Sequence, residues 1–202
     1  MRVSGEARGS QVETILHPGA RWLIATWVKA KGAKPRPDRA DVDLAQVPRL
    51  APWLFIAEAT PAGGYGYRLA GTGLCGFLGR EVTGTDLLAG WDLFESGVID
   101  RALRSVVRRN RLAHLRLRFL TDRGETVGAD MPALPMTARD GTVHVLGGLF
   151  PHADPKLWTY GSLAPVEVAA ARVIDPKRQE IAAEDPQGRR KFRVISGGLD
   201  ID

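Results

Sequence analysis

Apolar residues recur at helical spacing close to the start of the chain. One stripe of the pattern consists of Ala20, Leu23, Ile24, Trp27 and Val28. Pro18 suits the first turn of a helix, and Gly32 ends the pattern soon after two lysines. These positions predict a short amphipathic helix in which Trp22 flanks the apolar stripe.

A proline-containing loop follows, and then two apolar runs with a turn between them. Residues 60–64 separate the runs and have the composition that turns require. Residues 53–70 are therefore predicted to form a β-hairpin. A short helix is expected over residues 74–78 and a long one over residues 96–110. The long helix rests on a second apolar stripe, which consists of Ile99, Ala102, Leu103, Val106 and Val107.

Three further strands are predicted downstream of the long helix. In residues 115–119, apolar and basic side chains alternate, as they do in a half-buried strand. The other two strands are expected over residues 126–136 and 143–150. Pro132 and Pro135 predict that the later part of the first of these is an edge strand or a bulge.

The order of these elements predicts an α+β fold with one antiparallel sheet, because two strands, a helical connection and a three-stranded meander follow one another. Residues 1–18 are expected to be a flexible N-terminus and residues 19–158 the folded domain. Residues 159–202 differ in character and contain a polar run, residues 184–191, without an apolar period. We expect them to form a loosely structured extension, with a short helix near residues 166–173.

Composition limits the functional classes that remain. The chain has 202 residues, a net charge of +5 and ordinary globular proportions of apolar and charged residues. A single cysteine, Cys75, excludes an intramolecular disulfide and favours a reducing compartment. The N-terminus has no apolar leader, and the apolar run 22–28 is far shorter than the ~20 residues of a membrane span. We therefore expect a cytoplasmic protein with no membrane span.

Three local motifs carry a resemblance to a known family. They are Pro35-Arg36-Pro37-Asp38-Arg39-Ala40-Asp41-Val42-Asp43, Tyr67-Arg68-Leu69-Ala70-Gly71-Thr72 and Gly79-Arg80-Glu81-Val82-Thr83-Gly84. Together with the order of the elements, they resemble a bacterial, alphaproteobacterial-type, single-domain PAS family over residues 10–155. The resemblance implies a five-stranded antiparallel sheet with short helices and one long helix on one face, plus the N-terminal amphipathic helix.

The resemblance also implies a sensory or regulatory protein rather than an enzyme. PAS domains bind small ligands or cofactors between sheet and helices, or pair with partners. No cofactor is assigned here: the long helix lacks the histidine of haem-binding members, and Cys75 lacks the flanking residues of flavin photosensors. The four histidines show no metal-ligand spacing. Because the chain has no room for a kinase or helix-turn-helix module, we expect it to act in trans on a protein partner.

Candidate pocket residues follow from chemistry and predicted position. Trp91 and Phe94 precede the long helix, which borders the pocket in PAS folds. Arg68, Arg118 and Asp130 lie in predicted strands, where an inward charged side chain needs a partner or an anionic ligand. The alternative for these three residues is exposure to solvent, and the alternative for the aromatic residues is an ordinary core.

The N-terminal helix is the first candidate interface. Its apolar residues Trp22, Leu23, Trp27 and Val28 pack either on the sheet of their own chain or across a homodimer. We favour the homodimer.

The second candidate interface is rich in arginine. Residues 97–118 contain seven arginines and one acidic residue. Arg101, Arg104 and Arg108 lie opposite the apolar stripe of the long helix, so we expect them to form a docking surface for a protein partner. The alternative is a nucleic-acid or anionic-surface binding protein that uses the Arg-rich face of residues 101–118. We disfavour nucleic acid because no reading helix or stacking aromatic accompanies the arginines.

Overall fold

The computed structural model of the protein describes residues 16–44, 48–153 and 163–176. The helices in these ranges are α1 (Pro18–Lys31), α2 (Thr72–Phe77) and α3 (Leu93–Arg109). The strands are β1 (Leu54–Ala59), β2 (Tyr65–Ala70), β3 (Leu112–Thr121), β4 (Thr126–Thr137), β5 (Val143–Gly148), β6 (Phe150–Pro151) and β7 (Leu163–Ile174). No helix in the described part of the chain is long and apolar enough to cross a membrane.

The strands form one antiparallel sheet, which confirms the predicted α+β class. In the described residues the sheet has seven strands, in the order β2-β1-β5-β4-β3-β7, with β6 paired to β4. The five strands expected from the sequence are β1 to β5. Each hairpin turn uses a glycine with positive φ where the sequence predicted a turn, as at Gly124 (φ 80°) and Gly141 (φ 84°).

The prediction of an edge or bulge in the later part of β4 is wrong. β4 lies between β3 and β5, with Pro132 opposite His114 and Pro135 opposite Val145 in continuous registers. Proline removes a donor from the strand but keeps its carbonyl. The carbonyl of Pro135 accepts a hydrogen bond of 2.7 Å from the buried indole of Trp27, so α1 is attached to the centre of the sheet at this proline.

The short helix predicted near residues 166–173 is also wrong, because β7 occupies this range and pairs with β3 from Leu163 to Ile174. The register shifts twice along this pair, which leaves Val166 and Ala169 as bulged residues. Near the second bulge, the backbone N–H of Val168 donates to Glu95 of α3 at 2.8 Å. The remaining residues of the predicted N-terminal and C-terminal extensions, 1–15, 159–162 and 177–202, lie outside the described residues.

Side chains along β3 and β4 point alternately to the two faces of the sheet and contribute to a separate hydrophobic core on each face. Leu115, Leu117 and Met131 belong to the core beneath α2 and α3. Leu112 and Leu134 belong to the core beneath α1. Since neighbouring residues of a strand point to opposite faces, one sheet carries helices on both sides. The N-terminal helix therefore packs on its own sheet, on the face opposite α3.

The Pro-Arg-Pro segment connects the last turn of α3 to the end of β4. The guanidinium of Arg36 donates to the Asn110 side chain at 2.6 Å and to the Thr137 hydroxyl at 2.9 Å. Asn110 ends α3 in the left-handed conformation, with φ 53°. The backbone N–H of Thr137 also donates to the Pro37 carbonyl at 3.0 Å. One half-buried arginine thus joins three segments that are distant in sequence.

Replacing Arg36 with Ala is expected to lower the free energy of unfolding by about 1–2 kcal/mol, because two partly buried hydrogen bonds are lost. Urea denaturation measures the change. Arg39→Ala is the matched control in the same loop, since Arg39 is exposed, and should change the value by less than about 0.5 kcal/mol. Equal effects of the two substitutions would contradict the structural role given to Arg36.

Candidate functional site

A cavity lies between α3 and the sheet, on the face that α2 and α3 cover. Its volume is about 170 Å³. The wall is formed by β2, β3, β4, the start of α3, the loop between α2 and α3, and the first residues of β7. The lining side chains that matter for its chemistry are Tyr67, Arg80, Asp86, Trp91, Ile99 and Leu117.

Aromatic rings pack around the cavity. The ring of Trp91 meets Phe119 edge to face, with centroids 5.8 Å apart, and Phe119 meets Phe77 in the same way at 5.0 Å. On the other side, Tyr67 packs against Phe55 at 5.4 Å. Pairs of this kind are favourable because the positive edge of one ring faces the negative face of the other. They make the wall rigid and largely apolar.

Polar groups are few at this cavity. Burial raises the pKa of Tyr67, so its hydroxyl stays protonated as a donor. Arg80 is exposed where the loop begins. The carboxylate of Asp86 accepts from the backbone N–H groups of Tyr65 at 3.1 Å and Leu88 at 3.0 Å, which fixes the loop to β2. The loop wall is therefore held by backbone hydrogen bonds, while Tyr67 and Arg80 supply polar contacts.

The Gly79–Gly84 motif forms the turn that begins this loop. Glu81 accepts from the backbone N–H groups of Val82 at 3.0 Å and Thr83 at 2.9 Å. Cys75 lies against the same carboxylate, with its sulfur 3.4 Å away. Burial, the largest influence, raises the pKa of the Cys75 thiol, which favours its protonated form.

The five predicted pocket residues divide into four groups. Trp91 lines the cavity. Phe94 does not, because its side chain is 74% exposed at the start of α3. Arg68 and Arg118 face solvent and form ion pairs, with Glu58 at 3.0 Å and with Glu167 at 2.8 Å. Asp130 is fully buried, but it points to the opposite face of the sheet, towards α1.

Asp130 is the centre of a second polar site, which we call the Asp130 cluster: His17, His114, Arg116, Asp130 and His152. The Oδ1 atom of Asp130 lies 3.1 Å from Nε2 of His114 and 3.3 Å from Nε of Arg116. Its Oδ2 lies 3.2 Å from Nε2 of His152 and accepts the backbone N–H of His17 at 2.6 Å. Four groups from three other segments thus surround one buried carboxylate.

These contacts keep Asp130 ionised. Burial alone raises the pKa of Asp130, but the close contact with His114, the hydrogen bond from the backbone of His17 and the close contact with His152 together hold this pKa well below its usual range. In the described residues, no group of three or more His, Cys, Asp or Glu side chains is arranged to hold a metal ion. The buried carboxylate of Asp130 thus links the start of α1, β3, β4 and the end of β6.

The spacing of the histidines in the sequence did not reveal this cluster. His17, His114 and His152 lie far apart along the chain and meet only through tertiary structure. The register of β3 and β4 places Arg116 directly opposite Asp130, and β6 places Phe150 on its other side. The one signal available was a lone aspartate in an apolar strand, since such a residue needs partners if it points inward.

The candidate interface residues of α1 differ in exposure. Leu23 and Trp27 are fully buried against the sheet of their own chain, and Trp22 is 44% exposed. Val28 is half-buried. A partner that docks on α1 in this arrangement therefore meets Trp22, and the side chains of Leu23 and Trp27 are not accessible to it.

The arginine-rich stretch is divided between the two faces of the sheet. Arg101, Arg104 and Arg108 are exposed on α3. Arg116 and Arg118 belong to the β3 positions that face the α1 side, where they contact Asp130 and Glu167. Arg104 also forms an ion pair with Asp100, one turn earlier. The continuous Arg-rich face of residues 101–118 that the sequence suggested is therefore absent, and a smaller patch on α3 remains.

Comparison with protein-family models places the chain in a known family. A family model described as a PAS domain matches residues 15–150, which is more than half of the chain. A search of curated proteins gives no match.

Asp130→Asn is expected to lower the free energy of unfolding at neutral pH by about 3 kcal/mol, because the substitution removes the buried carboxylate that the half-buried Arg116 guanidinium and the surrounding imidazoles contact. The folded pKa of Asp130 is below its unfolded value, so its contribution is complete above about pH 4 and is lost as the pH falls further. The difference between variant and wild type should therefore shrink below about pH 4. Asp122→Asn, in an exposed turn, is the control for denaturation curves across this range.

Proposed function

Because this chain belongs to the PAS domain family, a family of sensory and regulatory domains, we propose that it is a non-catalytic sensor that binds a small molecule between α3 and the sheet. The observation that supports this proposal is the cavity of about 170 Å³ beside Trp91. It is smaller than the roughly 300–1,000 Å³ of drug-sized ligand pockets, so the ligand we propose is correspondingly small.

The lining indicates the class of ligand. An apolar or aromatic body fits against Trp91, Phe119 and Leu117. Tyr67 and Arg80 both line the cavity, so we expect the hydroxyl and the guanidinium to be the groups that contact an acceptor. A small apolar molecule with a carboxylate or another acceptor oxygen satisfies these groups together.

The position of Trp91 supports a route from ligand to surface. Trp91 stands just before α3, and the next apolar residues, Leu93 and Phe94, are 92% and 74% exposed. Two neighbouring large apolar side chains in water indicate a surface that meets another molecule. We propose that ligand binding shifts the population of positions of this segment, and that a protein partner in a bacterial signalling pathway recognises the change in trans.

We also propose that the protein works as a homodimer in the cytoplasm. The exposed part of Trp22 on the outer side of α1 supports an interface there, since tryptophan is prominent in the energetic centres of interfaces. The single cysteine is compatible with a reducing compartment. Trp22→Gln is the variant that separates this interface from other modes of association.

Native mass spectrometry of the purified protein is expected to show a retained small molecule and a dimeric mass. Leu117→Phe should abolish the retained mass, because the larger ring extends into the cavity. Its cost in stability should stay below about 1 kcal/mol, since empty space accommodates the added volume. Leu134→Phe is the matched control on the opposite face, fully buried beneath α1. It should lose about 1–3 kcal/mol through overpacking and retain the ligand.

The sensor proposal would be overturned if the wild-type protein retained no small molecule and if no fragment from a small-molecule screen bound at the cavity. A monomeric mass would overturn the homodimer independently. Loss of the dimer in Trp22→Gln, with ligand retained, would place the interface on α1.

The second candidate function, binding of nucleic acid or an anionic surface, rests on the exposed patch of Arg101, Arg104 and Arg108. The triple Ala variant is expected to keep the fold, since the three side chains point away from the core beneath α3. Because the arginines of β3 lie on the other face, we expect the wild type to show no salt-sensitive shift with duplex DNA or anionic vesicles at low salt. Binding that is lost in the triple variant would favour the second function.

A further inference from the structure

His17 is the N-cap residue of α1, and its imidazole provides the cap. Nδ1 accepts the backbone N–H of Gly19 at 3.0 Å, and Pro18 occupies the first helical position. Histidine can accept at Nδ1 only while that nitrogen carries no proton, because both nitrogens of the charged ring are donors. The cap of α1 therefore requires an imidazole that is neutral.

The same imidazole is held against the sheet. Its ring stacks on Phe150, with centroids 5.6 Å apart and planes 9° from parallel, and meets the edge of His152 at 5.6 Å. The backbone N–H of His17 donates to Asp130, as described above. His17 thus helps to attach the first turn of α1 to the sheet, and a histidine side chain has an ordinary pKa near physiological pH.

Some charges around His17 favour protonation of its ring, and others oppose it. The carboxylate of Asp130 favours a protonated ring, but it already contacts several cationic or titratable groups. The positive end of the α1 dipole disfavours the protonated ring. The titratable and charged side chains on the elements around the ring are Arg21 on α1, Arg49 before β1, His114 and Arg116 on β3, Asp130 on β4 and His152 after β6.

The balance opposes protonation. Burial lowers the pKa of His17, and the repulsion of His152 and Arg21 lowers it further against the attraction of Asp130. We call the form with the first turn of α1 on the sheet the closed form, and the form in which that turn has left the sheet the open form. The closed form therefore binds fewer protons than the open form, in which His17 has an ordinary pKa near 6.5. The stability of the closed form is complete above that value and is lost as the pH falls from it towards the folded pKa.

We propose that His17 is a proton-operated cap, which holds the first turn of α1 on the sheet when its ring is neutral and releases that turn when its ring is charged. Release uncovers Phe150 and widens the adjoining cavity of about 290 Å³, which His17, Trp53 and Phe150 line. This device lies on the opposite face of the sheet from the proposed ligand cavity and does not depend on it.

Amide hydrogen exchange of the full chain tests the cap at about pH 7.5 and about pH 5.5, on either side of the ordinary histidine pKa. After correction for intrinsic rates, opening of residues 19–23 should increase about fivefold at the lower pH, as for loss of an ordinary N-cap. Amides of α3 should show no change, which reports that the rest of the protein stays folded.

Two variants of the same residue separate the cap from the fold. His17→Asn keeps an acceptor that no proton can block, so opening should stay low at both pH values. His17→Ala has no acceptor, so opening should be high at both. His144→Gln is the histidine control, because His144 lies outside the Asp130 cluster. Its Nε2 is 3.4 Å from the Oε2 atom of Glu58. It should behave like the wild type.

A pH dependence that persists in His17→Asn would overturn the proposal and assign the proton to His114 or His152. Opening of the wild type that is equal at the two pH values would overturn it as well.

Discussion

Burial of both faces of one sheet is the constraint on which the rest of this structure depends. Along β3 and β4, alternate side chains enter the core beneath α3 or the core beneath α1, so neither helix can be removed without exposing half of an apolar sheet. The two candidate sites inherit this division. The ligand cavity belongs to the α3 face, and the Asp130 cluster belongs to the α1 face. The two sites therefore share strands but lie on opposite faces of the sheet.

Elements that depend on local pattern could be predicted from the sequence. The helix around Leu23 and Trp27, the β1–β2 hairpin and the long helix through Leu103 each have a period that matches their secondary structure. The position of Trp91 before α3 also follows from the order of elements. These predictions succeed because the same residues determine both the local conformation and the side that is buried.

Elements that depend on distant partners could not be predicted. β7 is a strand because β3 presents an unpaired edge to it, and nothing within residues 163–174 reports that edge. Pro132 and Pro135 indicated a sheet edge by a local rule, yet they lie in a central strand. His17, His114 and His152 converge only through the β3–β4 register and the packing of α1, so spacing in the sequence has no bearing on their proximity.

The two bulges of β7 have a consequence for how this protein behaves at high concentration. Among the described residues, β7 is the outermost strand beside β3, and a long regular strand in that position would recruit a strand from another molecule. Val166 and Ala169 interrupt its regular ladder, and Glu95 already occupies the N–H of Val168. The irregularity that fits β7 to α3 thus also disfavours edge-to-edge aggregation, which protects a sheet whose outermost strand is apolar over much of its length.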